Sequence, residues 1–144
     1  MSDDRREKPL LDEARELATS YNKRATEFTQ RIKSFESQLL RLEFRVPTSL
    51  EFDAGLESYR LSFTSWDGTW GLYVVRKLPS SAWERLGNLE NCSVEVKVAA
   101  AIAFPGFLKN LIAAQRDALL KIDEAHTTLD DMAEKIGSFE EEGE

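Results

Sequence analysis

The chain has 144 residues, with 19 Lys+Arg against 26 Asp+Glu and a formal net charge of −7. That length fits one domain, and an apolar fraction of 42% excludes a globally disordered chain. One cysteine (Cys92) and one histidine (His126) exclude an internal disulfide, a thiolate metal cluster and a multi-histidine metal site, and with them most zinc, iron–sulfur and cysteine-protease chemistry.

The opening stretch, MSDDRREKPLLDE, mixes charges of both signs and holds no apolar run, so no signal peptide is expected. From Leu11 to Leu42 the residues Leu11, Ala14, Ala18, Tyr21, Ala25, Phe28, Ile32, Phe35, Leu39 and Leu42 alternate steps of three and four. That spacing predicts a heptad helix over about 10–43, with Pro9 in its first turn. Glu16, Lys23, Gln30 and Ser37 fall on the opposite, solvated side.

Residues 44–78 read as a β unit rich in aromatics. Two alternating runs, ESYRLSFTSW and TWGLYVVRK, flank Asp67-Gly68, a dipeptide suited to a type I′ turn. Counting outward pairs Trp66 with Thr69, Phe63 with Leu72 and Leu61 with Val74. One face then carries Tyr59, Leu61, Phe63, Trp70, Leu72 and Val74, and the other Arg60, Ser62, Thr64, Trp66, Tyr73 and Val75. An isolated hairpin is marginal in water, so Phe44–Val46 and Leu50–Phe52 are expected to add one or two short strands. Ser80-Ser81-Ala82-Trp83-Glu84-Arg85-Leu86-Gly87 reads as a capped helical turn over about 80–87.

A second heptad stripe runs Leu108, Leu111, Gln115, Ala118, Ile122, Ala125, Leu129, Met132, Ile136 and Phe139. It predicts a long helix over about 93–136, kinked at Pro105, with Gly137 as its stop and 137–144 as a frayed acidic tail. SVEVKV alternates like a strand, so a strand followed by a shorter helix stands as the other reading of 93–104. The eleven apolar residues between Lys97 and Lys109 are too few to cross a bilayer, which takes about 20. Residues 117–144 carry two basic and ten acidic side chains, so the excess acidity belongs to this end.

Candidate chemistry is thin. Asp123-Glu124-Ala125-His126 spells a helicase box, but no phosphate-cradling Gly-Lys-Ser/Thr loop accompanies it, and it lies inside a heptad helix. His126 shares a helix face with Asp123 and Asp130, an arrangement that surface histidines commonly have. Cys92 stands near a helix start, with its one histidine far along the chain, and reads as a small apolar residue. No Gly-x-Ser-x-Gly elbow and no dinucleotide fingerprint occurs. Residues 20–45 hold six basic and three acidic side chains, a modest basic stripe suited to pairing with the acidic second helix. The acidic balance argues against a nucleic-acid binder.

The run Trp66-Asp67-Gly68-Thr69-Trp70-Gly71-Leu72, followed some twenty residues later by a Pro-bearing helix, resembles a pattern in small uncharacterised bacterial proteins, across roughly residues 60–125. The resemblance implies the kinked-helix reading of 93–104 and supplies no site. At the level of architecture, helix–hairpin–helix with acidic charge is also similar to prefoldin-type chaperone subunits.

The expectation is therefore an α+β domain in which two long antiparallel heptad helices flank a small β unit. It has no cofactor, metal or catalytic residue, and it acts in the cytoplasm by binding protein and forming a homodimer through its helices. Trp66, Tyr73 and Val75, ringed by Ser62 and Thr64, are the candidate partner-binding residues. An acidic inhibitor or nucleic-acid mimic of phage type and a prefoldin-like holdase are the alternatives.

Overall fold

A computed structural model describes residues 2–142. The chain is α+β: helix α1 (Ser2–Arg41), four strands β1 (Thr48–Ala54), β2 (Glu57–Trp66), β3 (Thr69–Lys77) and β4 (Trp83–Asn88), a 3₁₀ turn (Leu89–Asn91), and helix α2 (Val94–Glu142). The strands form one antiparallel meander in the order β1-β2-β3-β4. The central hairpin has the register expected from its turn: Trp66 opposite Thr69, Phe63 opposite Leu72, Leu61 opposite Val74. Asp67 and Gly68 both have positive φ, 53° and 85°, as a primed two-residue turn requires. A second two-residue turn at Gly55-Leu56 joins β1 to β2, with Ala54 opposite Glu57.

That register sends Leu61, Phe63, Leu72 and Val74 to one face, where each is fully buried. Both helices cover this face. From α1 come Ile32 and Leu39, and from α2 come Val96, Ala100, Phe107 and Leu111. Phe35 stacks on Phe104 at 4.4 Å where the helices meet. The buried Lys97 donates from Nζ to Thr29 Oγ1 at 2.7 Å across the same seam.

Glu36 closes a gap in the sheet. Because β4 pairs only with Tyr73–Lys77, the start of β3 has no strand on that side. The Glu36 carboxylate accepts from the Leu72 backbone N–H and from Asn88 Nδ2, both at 2.8 Å. A side chain thus satisfies an edge donor that would otherwise invite another strand. A Cβ at Gly71 would lie 3.1 Å from Glu36 Oε2, so the small residue lets the carboxylate approach.

Several expectations are corrected. The contacts between the helices follow the same order along both, with Thr29 meeting Lys97 and Phe35 meeting Phe104. The helices therefore cross in the same sense and are not an antiparallel pair. Their stripes pack on the sheet because a sheet face buries a 3.6-residue stripe as well as another helix does. The expected helical turn at 80–87 is mostly strand β4: Trp83, Glu84 and Arg85 pair with Lys77, Arg76 and Val75, and the available β3 edge outweighs local propensity. The ladder slips between Val74 and Val75, where Gly87 adopts φ 116°. The β unit is a four-stranded sheet rather than a hairpin with short additions, and Phe44–Val46 form no strand. Of the two readings of 93–104, residues 94–104 follow the helical one rather than the strand, and α2 continues through Pro105. Helix α1 begins at Ser2 rather than near 10, which places Pro9 inside it. Gly137 does not end α2, which continues to Glu142; one mid-helix glycine costs only about 1 kcal/mol. The last two residues of the expected tail lie outside the described residues.

Two stability outcomes follow. Glu36→Ala removes a charge-assisted partner from a backbone donor and from the Asn88 amide, and should cost about 2–3 kcal/mol in chemical denaturation. Pro105→Ala restores an N–H to an exposed helix position and should leave stability unchanged or raise it. A large loss with Pro105→Ala would show that the proline is required for how α2 lies on the sheet.

Candidate binding face

The second face of the sheet has no helix over it. Alternation places Ser49, Glu51, Arg60, Ser62, Thr64, Trp66, Tyr73 and Val75 on this side. All three candidate residues, Trp66, Tyr73 and Val75, lie here and are half-buried. Trp66 and Tyr73 stack with ring centroids 4.3 Å apart and an interplanar angle of 14°. Tyr73 donates its hydroxyl to the Thr69 carbonyl at 2.9 Å, which anchors the ring. Burial, with Glu36 and Asp67 nearby, pushes the Tyr73 phenol up from its ordinary pKa. Val75 stands between Arg60 on β2 and Arg85 on β4.

Strand β4 brings two more groups to this face. The Arg85 guanidinium lies 4.6 Å from the Trp66 ring centroid, and Arg60 lies 4.2 Å from the ring of Trp83. Arg60 also donates to Glu51 Oε1 at 3.0 Å. The result is a row of planar groups, Tyr73–Trp66–Arg85 and Trp83–Arg60, over a floor of Ser and Thr. Beside it, Pro47, Thr48, Ser49, Arg60, Ser62 and Thr64 line a shallow depression of about 190 Å³. Such a face offers flat apolar area with guanidinium donors held in place by aromatic rings, a combination that recognises peptide carbonyls and carboxylates.

Arg60 was legible on this face from the hairpin register, but Trp83 and Arg85 were not while 80–87 read as helix. The usable signal was the alternation of Trp83 and Arg85 with Glu84 and Leu86, which has the period of a strand. Phe52 does not cover Trp66 or Tyr73: it faces the core and stacks on Tyr59 at 5.6 Å.

The remaining candidates scatter. His126, Asp123 and Asp130 are exposed on α2 well beyond the sheet. Among the described residues no group of three His, Cys, Asp or Glu side chains is placed to hold a metal ion. Cys92 is half-buried with Sγ 3.7 Å from the Asn88 carbonyl, and burial pushes its thiol pKa up. One eighteen-residue window of α2 has a mean hydropathy of 1.5, enough by length and composition to cross a bilayer, a property shared by core helices.

A polar cluster closes one end of the sheet. Tyr59 donates to Glu57 Oε2 at 2.6 Å, and Arg76 bridges Glu57 and Glu84. The hydrogen bond to Glu57, then burial, hold the Tyr59 phenol up at about 12 against an ordinary value of 10.0. The folded state thus favours the protonated phenol, and its contribution is complete below pH 10 and lost as the pH rises towards 12. Stability should fall across that window in the parent protein and fall less in Tyr59→Phe. Denaturant titrations at stepped pH, with phenolate absorbance as the ionisation readout, check this.

Comparison of the chain with protein-family models, with curated proteins and with solved structures found no match.

Proposed function

We propose that this chain is a non-catalytic protein-binding module that takes up a peptide segment of another protein on the open face of its sheet. The observation that carries the reading is the Trp66–Tyr73 stack with Arg85 over it, on a face that, among the described residues, neither helix covers. Half-exposed aromatics held rigid by stacking lose little entropy on binding, which is what anchor residues require. Arg60 and Arg85 give the face donors for an acidic or carbonyl-rich segment. A reduced cytoplasmic setting fits the single unpaired cysteine. In this reading the protein is an adaptor or regulator, bacterial by the resemblance of its Trp-rich hairpin, with no cofactor in its action.

One observation favours the alternative of an acidic inhibitor or nucleic-acid mimic. Asp117, Asp123, Glu124, Asp130, Asp131 and Glu134 all point to solvent on the projecting part of α2. A mimic would bind its target through this row, with affinity falling steeply with salt. Binding to many unfolded clients through the projecting helices would instead favour the holdase.

The test selects binders to the immobilised protein from a random peptide display library, then measures each against Trp66→Ser/Tyr73→Ser. The double variant should melt close to the parent, within about 2 kcal/mol, because a half-exposed cross-strand pair contributes about 1 kcal/mol. It should lose peptide binding by tenfold or more. A double variant that folds and retains full binding would remove the sheet face as the site. A variant that loses several kcal/mol would show these rings to be structural.

A further inference from the structure

The two helices outrun the sheet, and α2 does so by the larger margin. Every residue from Leu119 to Ile136 is exposed. The heptad stripe nonetheless continues through this stretch, leaving Leu129 64%, Ile136 56% and Phe139 77% exposed. We propose that the occupant of this stripe is the same stripe of a second copy, giving an isologous dimer in which two α2 helices pack antiparallel. This inference is independent of the sheet face.

Charge placement points to a helix partner rather than to solvent. In the heptad register set by Leu108 and Leu111, the positions flanking the stripe are Leu119, Lys121, His126, Thr128, Ala133 and Lys135. The six acidic residues from Asp117 to Glu134 all fall on the outer positions. The flanks of the seam therefore carry no carboxylate before Glu140, while Lys121 and Lys135 stand at its edge. When Leu129 is set against Met132 of a copy running the other way, Lys135 falls between the second copy's Glu124 and Asp131. Setting Leu129 against Ala125 would instead face Lys135 with Lys121, so charge selects the first register. The surface is self-complementary in both apolar stripe and charge, as a two-fold interface must be.

The fold decides the direction. The exposed stripe is collinear with Val96, Ala100, Phe107 and Leu111, which face the sheet. A parallel partner would have to run on through the position of the sheet. An antiparallel partner ends where the sheet begins. The overlap from Leu119 to Phe139 is about 30 Å long at 1.5 Å per residue. The α1 stripe cannot cover it within one chain. Helices that cross in the same sense send the N-terminal half of α1 and the C-terminal half of α2 out of opposite ends.

The experiment uses the full chain carrying Cys92→Ser and Gly137→Cys, the latter at a site where an added Cβ meets nothing within 4 Å. A nitroxide there should report an inter-copy separation of about 25 Å in a pulsed dipolar measurement, against about 10 Å for a parallel pair. Leu129→Asp/Ile136→Asp should abolish the coupling and sediment as a monomer, with the tryptophan fluorescence of the sheet unchanged. A separation near 10 Å, or a parent protein that shows no coupling and sediments as a monomer at tens of micromolar, overturns the proposal. A double-Asp variant that stays dimeric also overturns it, by moving the contact elsewhere.

Discussion

Which side chains go inward is settled at one turn. Asp67 and Gly68 accept the left-handed backbone that joins β2 to β3 in two residues, and the pairing of every residue outward from Trp66 follows. A slip of one position would move Leu61, Phe63, Leu72 and Val74 to solvent and bring Arg60, Ser62 and Tyr73 inside. The core and the open face are two consequences of the same register. The bulge at Val74/Val75 then lets β4 join without disturbing it, and delivers Trp83 and Arg85 to the side where Trp66 already stands.

Much of this was legible because it is periodic or turn-coded. The alternation around Asp67-Gly68 and the heptad spacing of the helices identified the α+β class, the central hairpin pairs and both of its faces. The misreadings share a cause: each needed knowledge of a neighbour. Trp83–Gly87 has helix-permissive letters and becomes strand because β3 offers an edge. Gly137 looks like a stop, but the described residues after it, 138–142, stay helical. The heptad stripes look like partners for each other, yet a stripe records only that one side is apolar, and here a sheet lies under half of each. Glu36 carried no local signal, since its role is to meet an amide 36 residues further along the chain.

The architecture is a mismatch of lengths. Strands of six to ten residues span about 20–35 Å, whereas helices of 40 and 49 residues span about 60 and 74 Å. Both helices are therefore longer than the surface that folds them. The covered halves hold the sheet together through Phe35, Phe104 and Phe107. The uncovered halves draw no stability from it and depend on helix propensity or on assembly.

Cys92 gives the molecule a built-in gauge of its own opening. The thiol sits where the 3₁₀ turn hands over to α2, half-buried against the Asn88 carbonyl, and burial keeps it protonated. Only the thiolate reacts with alkylating and disulfide reagents. Burial therefore slows modification, and lifting the first turn of α2 away from the sheet speeds it. The labelling rate of one natural side chain thus responds to loosening of α2 at its start, on the core side of the sheet and away from the aromatic row.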